Sequence, residues 1–175
     1  MAINIPSGIK YRARNEGMLT GGQSPRPLRT QRHQSKGIPC MRVFKDFNEI
    51  KSAVGTEVGV SDWVIVTQDR INRFAEATGD EQWIHVDVKR AKQELPMQTT
   101  IAHGLLTVSL VPEFVRSVMG LQGTKNTLNY GANRIRYLTP VPAGSRLRGR
   151  ISIVAADDAP PGGLRVTYGI TIEIE

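Results

Sequence analysis

Cysteine is almost absent from this sequence, since Cys40 is the only one among 175 residues. A single cysteine excludes an internal disulfide and a metal cluster held by several thiolates, and it fits a reducing compartment. No apolar run reaches the roughly 18 residues that a membrane-spanning helix needs. The first residues also lack the apolar segment of a secretory signal peptide. We therefore expect a cytoplasmic protein.

Several sequence signatures of known chemistry are missing as well. The chain has no Gly-x-Ser-x-Gly nucleophile elbow, no phosphate-binding glycine loop and no dinucleotide fingerprint. Histidine occurs only three times, and the spacing of His85 and His103 does not match a zinc site. These absences predict that the protein uses neither a metal ion nor a redox cofactor.

Positive charge is in excess, with a formal net charge of +7, but it is concentrated at one end. Residues 1–40 carry seven Lys and Arg residues and one acidic residue, which gives a net charge of +6. Residues 41–175 carry sixteen Lys and Arg residues and fifteen acidic residues, which gives a net charge of +1. A nucleic-acid-binding surface needs basic residues clustered on the folded part. We therefore expect no nucleic-acid partner, a disordered basic tail over residues 1–40 and one folded domain over residues 41–175.

The expectation of a disordered tail rests on its composition. Residues 1–40 are rich in Gly, Ser, Pro, Arg and Gln, so they bury too little apolar surface to offset the entropy of ordering. Three interpretations compete: a non-native or wrongly assigned start with Met41 as the natural first residue, a functional basic arm, and an organellar transit peptide.

The pattern after Thr67 predicts an amphipathic helix that delivers an acid to a turn. Thr67 can cap the helix and Gly79 can end it, which places Asp80 just beyond its last residue. The buried stripe, at positions i, i+3, i+4 and i+7, would comprise Ile71, Phe74, Ala75 and Thr78.

A second helix is predicted from Ile101 to about Met119, with Thr99 or Thr100 as its cap. It is apolar on nearly all sides and should be buried, and Pro112 should kink or divide it. Period-two alternation then predicts strands over residues 126–138, 146–156 and 164–174, the second with arginines on the solvent face of an edge strand. This order predicts an α+β fold in which an antiparallel sheet wraps the apolar helix.

Asp80 and His85, five residues apart, are the candidate catalytic pair. An acid next to an imidazole can bind and polarise a water molecule, and histidine titrates near neutrality. Free amides at the start of the apolar helix, near His103 and Gly104, can hold a developing oxyanion. Each residue also has an ordinary interpretation, Asp80 as a turn residue and the two histidines as hydrogen-bonded core residues. Together they suggest the addition or removal of water beside a carbonyl.

Four stretches resemble the MaoC-like (R)-specific enoyl-CoA hydratases, and in particular their nodulation-protein-N-like subgroup. The resemblance covers about residues 42–175. The stretches are FAEATGDEQWIHVD at 74–87, TIAHGLLT at 100–107, NYGANRIRY at 129–137 and PVPAGSRL at 140–147.

The resemblance implies a hotdog fold, a curved antiparallel sheet around a central helix, which works as a homodimer. It implies that Asp80 and His85 hold the water and that Gly104 supplies the oxyanion-hole amide. Gln82, with Trp83, replaces the Asn-Pro of many members, and we expect Gln82 and His103 to position the substrate. The family's last strand is missing beyond Glu175, which should leave an exposed edge.

The implied reaction is the reversible hydration of a trans-2-enoyl-CoA to the (R)-3-hydroxyacyl-CoA. Two alternatives stay open. One is a hotdog acyl-CoA thioesterase, for which the central helix offers only Glu113 as an acid. The other is a non-catalytic subunit for acyl-CoA binding or assembly.

Overall fold

The computed structural model describes residues 2–14 and 41–175, which form eight strands and six helices. No helix among them is long and apolar enough to cross a membrane. The strands are β1 (Ala2–Arg14), β2 (Arg42–Phe44), β3 (Glu57–Val60), β4 (Val64–Ile65), β5 (Met119–Leu121), β6 (Asn126–Ala132), β7 (Arg146–Ala159) and β8 (Gly163–Ile174). The helices are α1 (Phe47–Ser52), α2 (Gln68–Thr78), α3 (Trp83–Val86), α4 (Val88–Glu94), α5 (Gly104–Ser109) and α6 (Val111–Val118).

Six strands form one antiparallel sheet in the order β3, β7, β8, β1 and β6, with β4 also paired to β7. A separate small sheet pairs β2 with β5 in parallel. Alternate residues of β7 and β8 point into the core, as period-two patterning requires. Five of the inward-pointing side chains are at most 1% exposed, namely Leu147, Ile151, Ile153, Ile170 and Ile172. The predicted α+β class, with an antiparallel sheet packed on helices, is confirmed.

The sheet and α6 touch at two glycines. A Cβ atom on Gly149 of β7 would lie 2.9 Å from Phe114, and one on Gly59 of β3 would lie 2.8 Å from Val118. Phe114 and Val118 are themselves buried. A larger residue at either glycine would push the helix away from the sheet, so these two positions set how deeply the helix sits.

The predicted long helix is divided into α5 and α6, which meet at Leu110. The division follows from Pro112, because proline has no N–H to donate to the carbonyl of Val108 and its ring crowds that carbonyl. The predicted start was wrong by three residues. Ile101 forms a β-bridge with Pro142 instead of a first helical turn, so neither predicted threonine caps the helix.

The predicted strand over residues 126–138 is shorter than expected. It ends at Ala132 as β6, and the following residues are irregular. Gly131 has a φ of 137°, and its N–H donates to Asn129 Oδ1 at 3.0 Å. This local hydrogen bond lies where the register between β6 and β1 shifts, one residue before the strand ends.

Strand β1 shows that the expectation of a tail disordered over all of residues 1–40 was wrong for residues 2–14. The average composition of the tail concealed an alternation of apolar residues within β1. Its backbone pairs with β8 on one side and β6 on the other. The register of β1 against β8 changes between Ile5 and Ile9. This stretch contains Pro6, which has no amide hydrogen to donate. The rest of the tail, residues 15–40, lies outside the described residues, as does Cys40.

The place of β1 also corrects the expectation of an exposed last strand. β8 is an interior strand, with β7 and β1 as its neighbours, so both of its edges are paired. The backbone of an interior strand must find partners for its N–H and C=O groups. Here the first strand of the chain supplies them on the side that was expected to be open.

The arginines of β7 face solvent as predicted, but β7 is an interior strand and not an edge. Arg148 Nε donates to Glu173 at 2.6 Å, and Arg150 donates to both Glu173 and Glu57. Hydrogen bonding to Arg148 holds the pKa of the Glu173 carboxyl below its usual range, and hydrogen bonding to Glu57 raises the pKa of Arg150. The positive charges of Arg148 and Arg150 are therefore neutralised by carboxylates of the same sheet.

A proline placed in the paired part of β1 should destabilise the protein, because every amide of an interior strand faces a neighbouring strand. We expect Lys10→Pro to lower Tm by several degrees and to cause concentration-dependent association through the freed edges of β8 and β6. Thermal melts and light scattering would measure both effects.

Ser7→Pro is the matched control, since Ser7 lies in the irregular stretch between Ile5 and Ile9 and should tolerate the ring. Equal stability of wild type and Lys10→Pro would show that β1 contributes nothing to the sheet.

Candidate active site

A pocket of about 560 Å³ opens beside the first residue of α5. Its walls come from the end of α2, the short helix α3, the segment 101–107 and the segment 137–141. A volume of this size is typical of small-ligand sites. All of the predicted site residues except Gln82 line it.

Asp80 reaches the pocket because α2 ends just before it. Thr67 caps the start of α2 as predicted, with its Oγ1 accepting from Arg70 N at 3.2 Å. Gly79 ends the helix in the left-handed conformation, with φ of 74°, which favours glycine. The Asp80 side chain is 57% exposed, so its carboxylate lies at the mouth of the pocket.

His85 is held in the pocket wall with one ring nitrogen free. It lies on α3, is 7% exposed, and its Nδ1 is 2.7 Å from the carbonyl oxygen of Ile101. A carbonyl oxygen can only accept, so Nδ1 carries the proton and Nε2 keeps its lone pair. His85 therefore presents a basic nitrogen that can take a proton from a bound molecule.

His103 stacks against His85 and supports it. The two ring centroids are 3.7 Å apart, and the rings are inclined by 27°. His103 Nε2 donates to the backbone carbonyl of Asp80 at 2.8 Å, and the ring of Phe74 lies 5.0 Å away on another side. Its Nδ1 is buried with no hydrogen-bond partner among the described residues. His103 thus ties the Asp80 turn to the start of α5.

Asp80, His85 and His103 form one polar cluster, in which each contributes a nitrogen or oxygen atom within 4.8 Å of the others. Within the described part of the chain, Asp80 and His85 share no direct hydrogen bond. Two hydrogen bonds of about 2.8 Å that meet at one water oxygen separate their outer atoms by about 4.6 Å. The carboxylate and the imidazole therefore place atoms within about the span of one bridging water molecule.

The same three groups are also the residues that could hold a metal ion. His103 Nε2 and Asp80 Oδ2 are 4.0 Å apart, which is wider than the roughly 3.3 Å between neighbouring ligand atoms around a tetrahedral zinc. His103 Nε2 is moreover already hydrogen-bonded to the Asp80 carbonyl. Metal binding would need these groups to rearrange, and the prediction of a metal-free site stays a prediction.

Gly104 is the first residue of α5, where the helix leaves its first amides without intrahelical partners. Tyr137 lies directly against it: a Cβ atom on Gly104 would be 2.8 Å from the Tyr137 ring. Burial of part of this ring raises the pKa of the Tyr137 hydroxyl, so the hydroxyl stays protonated near neutral pH. Gly104 and Tyr137 therefore form one continuous part of the pocket wall.

Three of the four predicted catalytic and positioning residues thus meet at the pocket, and so does Gly104. Gln82 does not, since it is exposed and absent from the lining, and only its backbone carbonyl takes part by accepting from His85 N at 2.9 Å. Its predicted contact with substrate has no support in this geometry. Sequence reasoning missed Tyr137 and also Gln68, which donates to the carbonyl of His85. Tyr137 ends the stretch NYGANRIRY, but nothing in that stretch indicated a contact with Gly104. No local motif marks Gln68, because it acts through contacts distant in sequence.

Comparison with known proteins identifies the family. The profile described as MaoC like domain matches residues 49–168. A protein named 3-hydroxyacyl-thioester dehydratase Z from Mycobacterium tuberculosis is 44% identical over 135 residues, which cover 77% of this chain and 89% of that protein. Nodulation protein N from Rhizobium leguminosarum is 41% identical over 135 residues, covering 73% of this chain and 80% of that protein.

The solved structure of the R-hydratase PhaJ1 from Pseudomonas aeruginosa superimposes with a TM-score of 0.50 at 21% identity, covering 72% of this chain and 82% of that one. This likeness supports the hotdog fold. The chain belongs to the MaoC-like domain family. The predicted family and the predicted class of enzyme, a hydro-lyase, are confirmed.

The contact between Gly104 and Tyr137 can be tested through stability. Alanine usually stabilises a helix relative to glycine by up to about 1 kcal/mol. We expect Gly104→Ala to be destabilising in the wild type, because the new methyl group meets the Tyr137 ring. In a Tyr137→Ala background the same change should be neutral or stabilising.

The four proteins form a double-mutant cycle, and urea unfolding would give a coupling energy of about 1 kcal/mol or more. A coupling energy near zero would mean that the ring moves aside without cost.

Proposed function

We propose that this protein is an (R)-specific enoyl-CoA hydratase, which adds water reversibly to a trans-2-enoyl-CoA and forms the (R)-3-hydroxyacyl-CoA. The observation that carries the proposal is that Asp80 and His85 each place a ligand atom within 4.8 Å of the other, about the span of one bridging water molecule, while His85 Nδ1 is held by the carbonyl of Ile101. The names of the relatives, a 3-hydroxyacyl-thioester dehydratase and an R-hydratase, agree with this chemistry. The single cysteine fits a cytoplasmic location.

In this mechanism His85 and Asp80 act on one water molecule. His85 Nε2 takes a proton from the water while Asp80 accepts a hydrogen bond from it, and the oxygen bonds to C3 of the enoyl group. The C2=C3 π electrons move toward the thioester carbonyl and form an enolate. Proton return from the same pair to C2 completes a syn addition, since both groups lie on one face of the pocket.

Gly104 would stabilise the enolate oxygen. Its amide lies at the start of α5, where the helix dipole favours negative charge. A donor that strengthens its hydrogen bond as charge develops lowers the barrier more than it stabilises the bound substrate. The exposed apolar side chains at the pocket mouth, Leu105 and Leu138, would contact the pantetheine arm of the coenzyme.

The thioesterase alternative receives less support. The acid it would use, Glu113, lies exposed on α6 and is not part of the pocket lining. A non-catalytic acyl-CoA-binding subunit would leave the stacked histidines and the free Nε2 of His85 without a use. An assay with crotonyl-CoA separates the three functions: loss of the enoyl absorbance indicates hydration, release of free thiol indicates hydrolysis, and neither indicates binding alone.

Asp80→Asn and His85→Ala should each lower kcat for crotonyl-CoA hydration by at least about 100-fold, because each removes a group that handles the water's protons. Thermal stability should change little for Asp80→Asn, since the carboxylate is exposed. Absorbance at the enoyl band and thermal melts give the two measurements.

Glu81→Gln is the matched control, as it neutralises an exposed acid next to Asp80 that does not line the pocket. Near-wild-type turnover by Asp80→Asn or His85→Ala would remove that residue from the mechanism.

We infer that the active enzyme is a homodimer joined along β6. This strand lies at the end of the sheet order, pairs among the described strands only with β1, and is exposed at all seven residues. Leu128 and Tyr130 are 52% and 57% exposed. An edge of this kind recruits another strand, and a second copy of the same edge gives a closed twofold dimer.

Tyr130→Lys should weaken this dimer, because it places like charges on both copies of the shared edge. Sedimentation or light scattering should show a shift toward monomer. Ile65→Lys is the control, since Ile65 is 52% exposed on β4, which pairs with β7 near the opposite end of the sheet. A monomeric wild type would contradict the inference.

A further inference from the structure

We propose that Gln68 is a positioning residue of this site, which fixes the free nitrogen of His85 toward the water from outside the pocket. Gln68 is the first residue of α2 and does not line the pocket. The kinetic part of this inference rests on the proposed hydration. The structural part concerns the orientation of one imidazole ring and stands independently.

The amide of Gln68 joins two segments that carry the histidines. Its Nε2 donates to the carbonyl of His85 at 2.7 Å, and its Oε1 accepts a hydrogen bond from the hydroxyl of Thr100. Thr100 is fully buried and lies three residues before His103. The second amide hydrogen has a partner too, since Nε2 also donates to Asn72 Oδ1 at 2.8 Å. The polar atoms of this side chain are therefore all engaged.

This bridge works together with two contacts between the same segments. Ile101 N donates to the carbonyl of Ile84 at 3.0 Å, and the ring of His85 donates back to the carbonyl of Ile101 at 2.7 Å. Gln68 closes the arrangement by holding the His85 carbonyl and Thr100 at the same time. The position of the Ile101 carbonyl decides which nitrogen of His85 carries a proton. Gln68 acts on the chemistry through that carbonyl and touches no substrate.

The chemistry of the bridge requires glutamine in particular. It must donate to a carbonyl on one side and accept from a hydroxyl on the other, which an amide can do and a carboxylate cannot. Gln68→Glu keeps the shape but sets a carboxylate oxygen 2.7 Å from the His85 carbonyl oxygen, where the two would repel. The glutamate variant should therefore displace α3 and loosen the ring of His85.

The kinetic test compares Gln68→Glu with wild type on crotonyl-CoA. Small displacements of a catalytic group can cost as much as about 100-fold in rate. We expect kcat to fall about 10-fold to 100-fold with KM changed less than about threefold, because the substrate-binding wall is untouched. Asn72→Ala is the matched control, since it removes the outermost partner of the same amide and should leave kcat within about twofold.

A spectroscopic test reads the ring directly and needs no turnover. Nitrogen chemical shifts of the His85 side chain should report a proton on Nδ1 in the wild type and a mixture of tautomers in Gln68→Glu. Thr100→Val should show the same mixture with a smaller fraction of the second tautomer. Thr100→Ser keeps the hydroxyl and should give the wild-type spectrum. These threonine variants keep the test available should the glutamate variant fail to fold.

The outcomes separate the two proposals. A wild type that does not hydrate crotonyl-CoA, yet shows the predicted tautomer change, would overturn the proposed function and keep the positioning role. A folded Gln68→Glu protein with wild-type kcat and an unchanged His85 spectrum would overturn the positioning role, whatever the activity of the wild type. A loss of stability alone, with kcat and spectrum unchanged, would make Gln68 a structural residue only.

Discussion

The hydrogen bond from His85 Nδ1 to the carbonyl of Ile101 is the contact on which the site depends. It fixes the tautomer of a buried imidazole and leaves Nε2 as the only nitrogen able to accept a proton. The carbonyl is held in turn by the extended pairing of its own segment, since the next residue, Ala102, donates to Val141 at 2.7 Å. A segment predicted as the first turn of a helix is extended instead, and that difference supplies the acceptor for His85.

The depth of the central helix is the second constraint. Because Gly59 and Gly149 let α6 approach the sheet closely, the preceding α5 is carried to a fixed height above it. Pro112 then separates the two helices, so α5 can take its own direction at the pocket. The position of the Gly104 amide is therefore set by packing some distance away. The two glycines, which have no side chain to hold α6 away from the sheet, thereby influence where the wall of the active site lies.

The sequence predicted the local parts of this structure and missed the parts that depend on distant partners. Thr67, Gly79 and Asp80 were placed correctly, because capping and left-handed glycine are determined by neighbouring residues. The late start of α5 could not be foreseen, since it depends on a β-bridge between Ile101 and Pro142. Strand β1 was missed because the average composition of residues 1–40 predicts disorder, whereas the alternating apolar pattern of β1 occupies only thirteen of those residues.

The same distinction applies to the site residues. Asp80, His85 and Gly104 lie in short recognisable motifs, and the structure brings them to one pocket. Gln68 lies 17 residues from His85 and 32 from Thr100 along the chain, so its bridging role is visible only in three dimensions. The role of Gln82 stays a prediction, since it was given by its place inside a motif and its exposed side chain does not line the pocket.

The exposure of Asp80 links the chemistry to substrate binding. In the single chain its carboxylate is 57% exposed, while its partners His85 and His103 are buried. Bulk water weakens the electrostatic contribution of an exposed carboxylate, and excluding that water strengthens it. The exposed residues Leu105 and Tyr137 line the same pocket and are surfaces that a bound thioester would cover. Covering them would bring Asp80 into the drier environment that the two histidines already occupy, so binding of a thioester would complete the site by excluding water.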